Sequence, residues 1–163
     1  MSQGVRCKND STLQSRYRLM WNDVVYTPGE VEVVAYDADG NIAARRSMRT
    51  AGKPHHLVAT PSRTVIDANG DELVYITIQV ADKDGIIVPT DSRRVHFSVS
   101  GAGSFEATAN GDPTCILPFQ APEMDLFSGA ATAIVRGAAT PGILLFTVKA
   151  RGLKPATISI DVK

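Results

Sequence analysis

The chain has 163 residues, with 17 Lys plus Arg balanced by 17 Asp plus Glu. Zero net charge, without long charge runs, gives no general electrostatic pull toward nucleic acid or an anionic membrane. No apolar stretch approaches the roughly 20 residues that span a bilayer, and the length suits one ordinary domain plus a smaller piece.

The start, "MSQGVRCKND", lacks the apolar segment of a signal peptide, so an export signal would stand upstream of it. "SRYRLMW" and "GEVEVVAYDADGNIAARRSMRT" together predict three short strands. "TPGE" at 27–30 reads as a turn, and "DADGN" at 37–41 as a hairpin signal with Asp-Gly at its centre. Three strands make a thin core, so this piece is expected to lack part of its domain or to lean on a neighbour. "TAGKPHH", with Gly52 and Pro54, marks the boundary. The expected domains are 1–54, a partial small β domain, and 55–163, a β-sandwich.

The second part alternates with period 2. Val74, Ile76, Ile78 and Val80 are expected to face inward from "LVYITIQV". Val95, Phe97 and Val99 do the same in "RRVHFSVSG", Leu144, Phe146 and Val148 in "GILLFTVKARG", and Ile158, Ile160 and Val162 in "ATISIDVK". "HLVATPSRTVI" and "GAATAIVRG" read as weaker strands. "PFQAPEMDLFSG" at 118–129 reads as a long loop with room for one helical turn. Short strands spaced by Gly and Pro predict an all-β fold with an immunoglobulin-like sandwich.

Five groups of residues carry the candidate chemistry. Asp67, Asn69 and Asp71 open like a calcium loop, D-x-N-x-D. The glycine and the closing glutamate of that loop are out of place, so a solvated turn is expected. Asp82, Asp84 and Gly85 are read the same way. The glutamates Glu30, Glu32, Glu72, Glu106 and Glu123 are candidates for an acid–base pair, but none lies in a stretch that suggests a deep pocket. His55 and His56 are adjacent, and neighbours on an extended chain point to opposite sides, so they are expected not to share a metal. His96 is expected on the outward face of its strand. Trp21, Tyr26 and Tyr36 are candidates for a sugar-stacking platform, with core or interface packing the plainer reading. Cys7 and Cys115 make no CxxC pair; two free thiols are expected, with one long-range disulfide as the alternative. "GAGSF" at 101–105 does not follow a phosphate-loop spacing, and no GxSxG elbow is present.

A resemblance extends this reading. "RLMWNDVVYTPGEVEVVAYDADGNIAARRSMRTAG" resembles the small β domain that follows the catalytic barrel in many bacterial members of glycoside hydrolase family 2, the β-galactosidase family. "ADKDGIIVP", "HFSVSGAG", "NGDPT" and "LFSGAATAIVRG" resemble the C-terminal immunoglobulin-like domain of the same enzymes, which is itself similar to invasin-type modules. The opening hairpin that the family pattern places before "SQGVR" does not stand in this sequence, so the first domain is expected to be truncated at its start. The resemblance implies a retaining exo-glycosidase as parent, with a nucleophile and an acid/base glutamate on a TIM barrel. No segment here matches those that carry the two glutamates. The expectation is therefore a non-catalytic fragment with no catalytic, cofactor-binding or metal-binding residue. Its expected partners are the catalytic and other domains of the parent chain, with a homo-oligomer and a weak carbohydrate contact as further candidates. The resemblance also implies a periplasmic or secreted parent. The alternative readings are a cell-surface adhesin-type spacer and a carbohydrate-binding module.

Overall fold

The computed structural model describes residues 24–163, and among them every regular element is a β-strand. The expected strand in "SRYRLMW", with Trp21 and Cys7, lies outside the described residues. The backbone forms two compact units, one ending at Arg49 and the other spanning Thr50–Lys163.

In the first unit, β1 (Glu30–Tyr36) and β2 (Ile42–Arg49) form an antiparallel hairpin. The Asp37 carboxylate closes it: Oδ1 accepts from the backbone N–H of Asp39 and of Asn41. The Asn41 bond above all holds the Asp37 carboxyl below its ordinary value. Gly40 takes the left-handed conformation (φ 84°) that the loop needs. The register sets Val31 opposite Met48 and Val33 opposite Arg46 on one face. Val31 is 58% and Met48 76% exposed, so the hairpin shows apolar side chains to solvent.

The second unit has nine strands: β3 (His56–Pro61), β4 (Val65–Ile66), β5 (Leu73–Ala81), β6 (Arg94–Gly101), β7 (Gly103–Ala109), β8 (Glu123–Asp125), β9 (Ala130–Gly137), β10 (Gly142–Ala150) and β11 (Ala156–Val162). They make one sheet in the order β3-β5-β9-β7 and another in the order β4-β11-β10-β6-β8. All neighbours pair antiparallel except β4 with β11, which run parallel. The chain changes sheets between β6 and β7 through Gly101, whose φ is +83°. A Cβ there would stand 2.1 Å from the Ile143 carbonyl oxygen, so only glycine fits the crossing.

The core follows the period-2 pattern. Val74, Ile76, Ile78 and Val80 of β5 are fully buried, as are Val95 of β6 and Leu144, Phe146 and Val148 of β10. Phe97 stacks on Phe146 at 5.8 Å within its own sheet and on Phe105 of β7, also at 5.8 Å, in the facing sheet. This row of three rings joins the two layers by offset aromatic packing.

Three expectations change. The 118–129 stretch holds no helical turn; its centre is β8, paired with β6 through Val95↔Met124. Met124 enters the core because that register aligns it with the buried face of β6. "GAATAIVRG" is a central strand, β9, flanked by β5 and β7, with Ala131, Ala133 and Val135 inward. The residues 103–109, in which no strand was expected, form β7, with a register shift between Phe105 and Ala107.

Candidate functional site

The calcium-like stretch is a turn built on Asn69. Its Oδ1 accepts from the backbone N–H of Asp71 (2.9 Å) and of Glu72 (3.2 Å). Gly70 supplies the positive φ (82°). The oxygen that a cation would need is already serving the backbone.

In the second acidic turn Asp84 and Gly85 are exposed as expected, but Asp82 is not. Asp82 is buried, with only 3% of its surface exposed. Its Oδ1 accepts from the N–H of Asp84 and of Ile86, both at 2.9 Å, and its Oδ2 from the N–H of Gly52 at 2.7 Å. The turn expectation holds; the solvated one fails for Asp82 alone, because its carboxylate also ties down the segment that leads into β3.

Four of the five glutamates meet an arginine. Glu32 lies 3.2 Å from Arg45, Glu72 2.6 Å from Arg63, Glu106 3.2 Å from Arg136 and Glu123 3.1 Å from Arg94. The hydrogen bond from Arg136 above all holds the Glu106 carboxyl below its ordinary value. A general acid in glycoside hydrolysis needs the opposite, a carboxyl whose proton is retained near neutrality. Arg94 also makes a two-pronged contact with Asp125, with Nε and Nη2 each 2.8 Å from a carboxylate oxygen. The hydrogen bond from Arg94 above all holds the Asp125 carboxyl below its ordinary value, and the same contact raises the guanidinium further. His96 is exposed as expected and lies 3.2 Å from Glu123. The cluster is a cross-strand ion-pair network on the outer face of β6 and β8.

A different carboxylate has a structural task. Asp91 is buried in the loop between β5 and β6. It accepts from Arg93 Nε at 2.8 and 2.9 Å and lies 2.7 Å from Arg93 Nη2. Arg93 in turn donates to the Arg151 carbonyl in the β10–β11 turn. Burial pushes the Asp91 carboxyl up, but the hydrogen bonds and charge of Arg93 outweigh it and hold the group below its ordinary value. A depressed folded value gives stability that is present above the unfolded value of about 3.9 and lost as pH falls through the folded one. Asp91→Asn is therefore expected to cost about 2 kcal/mol at neutral pH. The gap from the parent protein should close below about pH 4. Urea unfolding of both proteins between pH 7 and pH 3 measures it; a gap that stays constant over that range would exclude the ion pair as its source.

The histidines overturn an expectation. His55 Nδ1 and His56 Nδ1 are 3.2 Å apart, and their rings meet edge to face at 5.4 Å. Opposite projection fails because His55 stands just before the strand proper, where the pleat does not yet hold. Tyr26 and Tyr36 of the proposed sugar platform are exposed, and Trp21 lies outside the described residues. Cys115 is a free thiol whose sulfur sits 3.7 Å from that of Met124. Among the described residues, no three His, Cys, Asp or Glu side chains converge as metal ligands would.

Comparison with known proteins places this arrangement. The family model "Glycoside hydrolase family 2 C-terminal domain 5" matches residues 57–159. A model described as a domain of unknown function (DUF4982) matches residues 1–44. The chain is 30% identical over 162 residues to a β-galactosidase, BoGH2A, of Bacteroides ovatus; the match takes in 99% of this chain and 18% of that protein. A crystal structure of a glycosyl hydrolase family 2 member from Bacteroides cellulosilyticus superposes with a TM-score of 0.85 at 29% identity, over 93% of this chain and 21% of that one. A β-glycosidase from Bacteroides vulgatus gives 0.79 at 29% identity, over 85% and 18%. The chain thus spans about a fifth of the length of these relatives. The match across the whole sandwich shows that this chain belongs to glycoside hydrolase family 2, as a β-galactosidase-like C-terminal β portion.

Proposed function

We propose that this chain is a non-catalytic C-terminal part of a larger glycosidase of β-galactosidase type, and that it braces the catalytic part of that enzyme. One observation carries the reading: 99% of the chain aligns with a β-galactosidase of which it makes up 18%. The local chemistry supports the same reading. Four of the glutamates are paired with arginine, and the two acidic turns use their side chains on backbone N–H groups. The exposed apolar face of the β1–β2 hairpin supports bracing, because apolar area of this kind is stabilised by burial against another surface. The brace would shape one rim of the cleft or contribute to a dimer interface. No catalytic residue is assigned to this chain, and a periplasmic or secreted enzyme is the compartment the resemblance favours.

The test is the size and activity of the native polypeptide. Antibodies raised to this chain are used on an extract of the source cells, and the precipitate is assayed with chromogenic glycosides. A band several-fold heavier than 17.4 kDa with galactosidase or related activity is expected. A band near 17 kDa, or a large inactive one, would overturn the reading.

A further inference from the structure

The adjacent histidines form a preset chelate. Two imidazole nitrogens, each about 2.0–2.1 Å from a tetrahedral cation, stand about 3.3–3.4 Å apart. The two Nδ1 atoms already stand 3.2 Å apart. The backbone under them is pinned on both sides. The His55 N–H donates to the Ala81 carbonyl, the His55 carbonyl accepts from Lys154 N–H, and His56 stands opposite Ala81 in the β3–β5 ladder. Both rings are half-buried, so part of their rotamer freedom is already lost. In the hydrogen-bonded pair one Nδ1 must carry a proton and the other must present a lone pair. A modest rotation of each ring aims both lone pairs at one point.

We propose that His55 and His56 bind one first-row divalent cation, Zn²⁺ being the reference case, through both Nδ1 atoms. Imidazole nitrogen suits such ions. Binding replaces the shared Nδ1 proton by the metal; that proton passes through solvent to Nε2 of the same ring, so both imidazoles bind as neutral Nε2–H tautomers with no net proton release. Water fills the remaining coordination positions, because among the described residues no third His, Cys, Asp or Glu joins the pair. Such a site is exchangeable rather than permanent. It would fasten the segment leading into β3 at the point where Lys154 and Ala81 already hold it.

The experiment titrates the 163-residue chain, labelled with nitrogen-15, with zinc chloride and follows the histidine ring nitrogens by NMR. The readout is site-specific, so thiol binding at Cys7 or Cys115 does not imitate it. The Nδ1 signals of His55 and His56 are expected to shift together, with one saturation curve, and both Nε2 nitrogens are expected to be protonated in the bound form. His55→Gln or His56→Gln is expected to weaken the binding at least about tenfold. His96→Gln, on a separate outer face, is expected to leave it unchanged. The proposal is overturned if neither ring shifts at about tenfold molar excess of zinc, if only one does, or if coordination runs through Nε2. The wild-type spectra decide this alone, so a variant that misfolds does not obscure the answer.

Discussion

Phe146→Ala is expected to destabilise the sandwich by about 3–5 kcal/mol, a large share of the roughly 5–15 kcal/mol that holds a domain folded. Phe146 is fully buried on β10, and its ring stacks on Phe97 at 5.8 Å. Truncation removes the transfer free energy of the ring and leaves a cavity that β-strands on both sides cannot close without breaking register. The loss reaches the other sheet, because Phe97 also stacks on Phe105. Phe146→Leu keeps most of the volume and should cost less than half as much. Urea unfolding followed by circular dichroism compares the two. Equal costs would mean that ring stacking rather than volume sets the stability at this position.

The second large effect is expected at Gly129. Ser128 and Gly129 form a two-residue turn with φ of 52° and 74°, closed by reciprocal backbone hydrogen bonds between Phe127 and Ala130. Positive φ at both central positions is the signature of a type I′ turn. A Cβ on Gly129 would stand 2.1 Å from the Val88 carbonyl oxygen and 3.1 Å from Pro89 Cα. Both are backbone atoms, so no side chain can swing aside. Gly129→Ala is expected to cost about 3 kcal/mol or more, the left-handed penalty of about 1–2 kcal/mol plus the displacement of the Val88–Pro89 segment. Gly85 separates the two contributions. Its φ is 82°, but nothing lies within 4 Å of a Cβ there. Gly85→Ala should therefore show the conformational penalty alone, about 1–2 kcal/mol. Thermal unfolding of both variants gives the comparison; similar costs at the two sites would remove the steric account.

The sandwich was legible where strands are long, branched and alternating. Val74 through Val80 and Leu144 through Val148 each mark a buried face because every second side chain is large and apolar. β9 was read as weak because two of its inward residues are Ala131 and Ala133. Their place in the middle of a sheet depends on pairing with β5 and β7, which stand well before β9 in the chain. β8 has three residues, too few for a period to show. In β7 the register shift beside Glu106 breaks the alternation that would have announced it. The candidate chemistry was less legible still. Asp82 looks like any turn aspartate until Gly52 folds over its carboxylate. The His55–His56 contact depends on where the pleat begins, which one residue of uncertainty in a strand boundary hides.

The strand ends of the sandwich carry a last consequence, for life in crowded surroundings. The four outermost strands are β4 and β8 in one sheet and β3 and β7 in the other. β4 has two residues and β8 three, too short to template a partner strand. β7 is interrupted by its register shift. β3 ends in Pro61, and its free side is already engaged by Lys154, whose carbonyl accepts from Leu57 N–H. Every open rim of the sandwich is blunted against strand-by-strand polymerisation. A domain so guarded can sit beside many copies of itself at high concentration and present faces, rather than edges, to whatever it packs on.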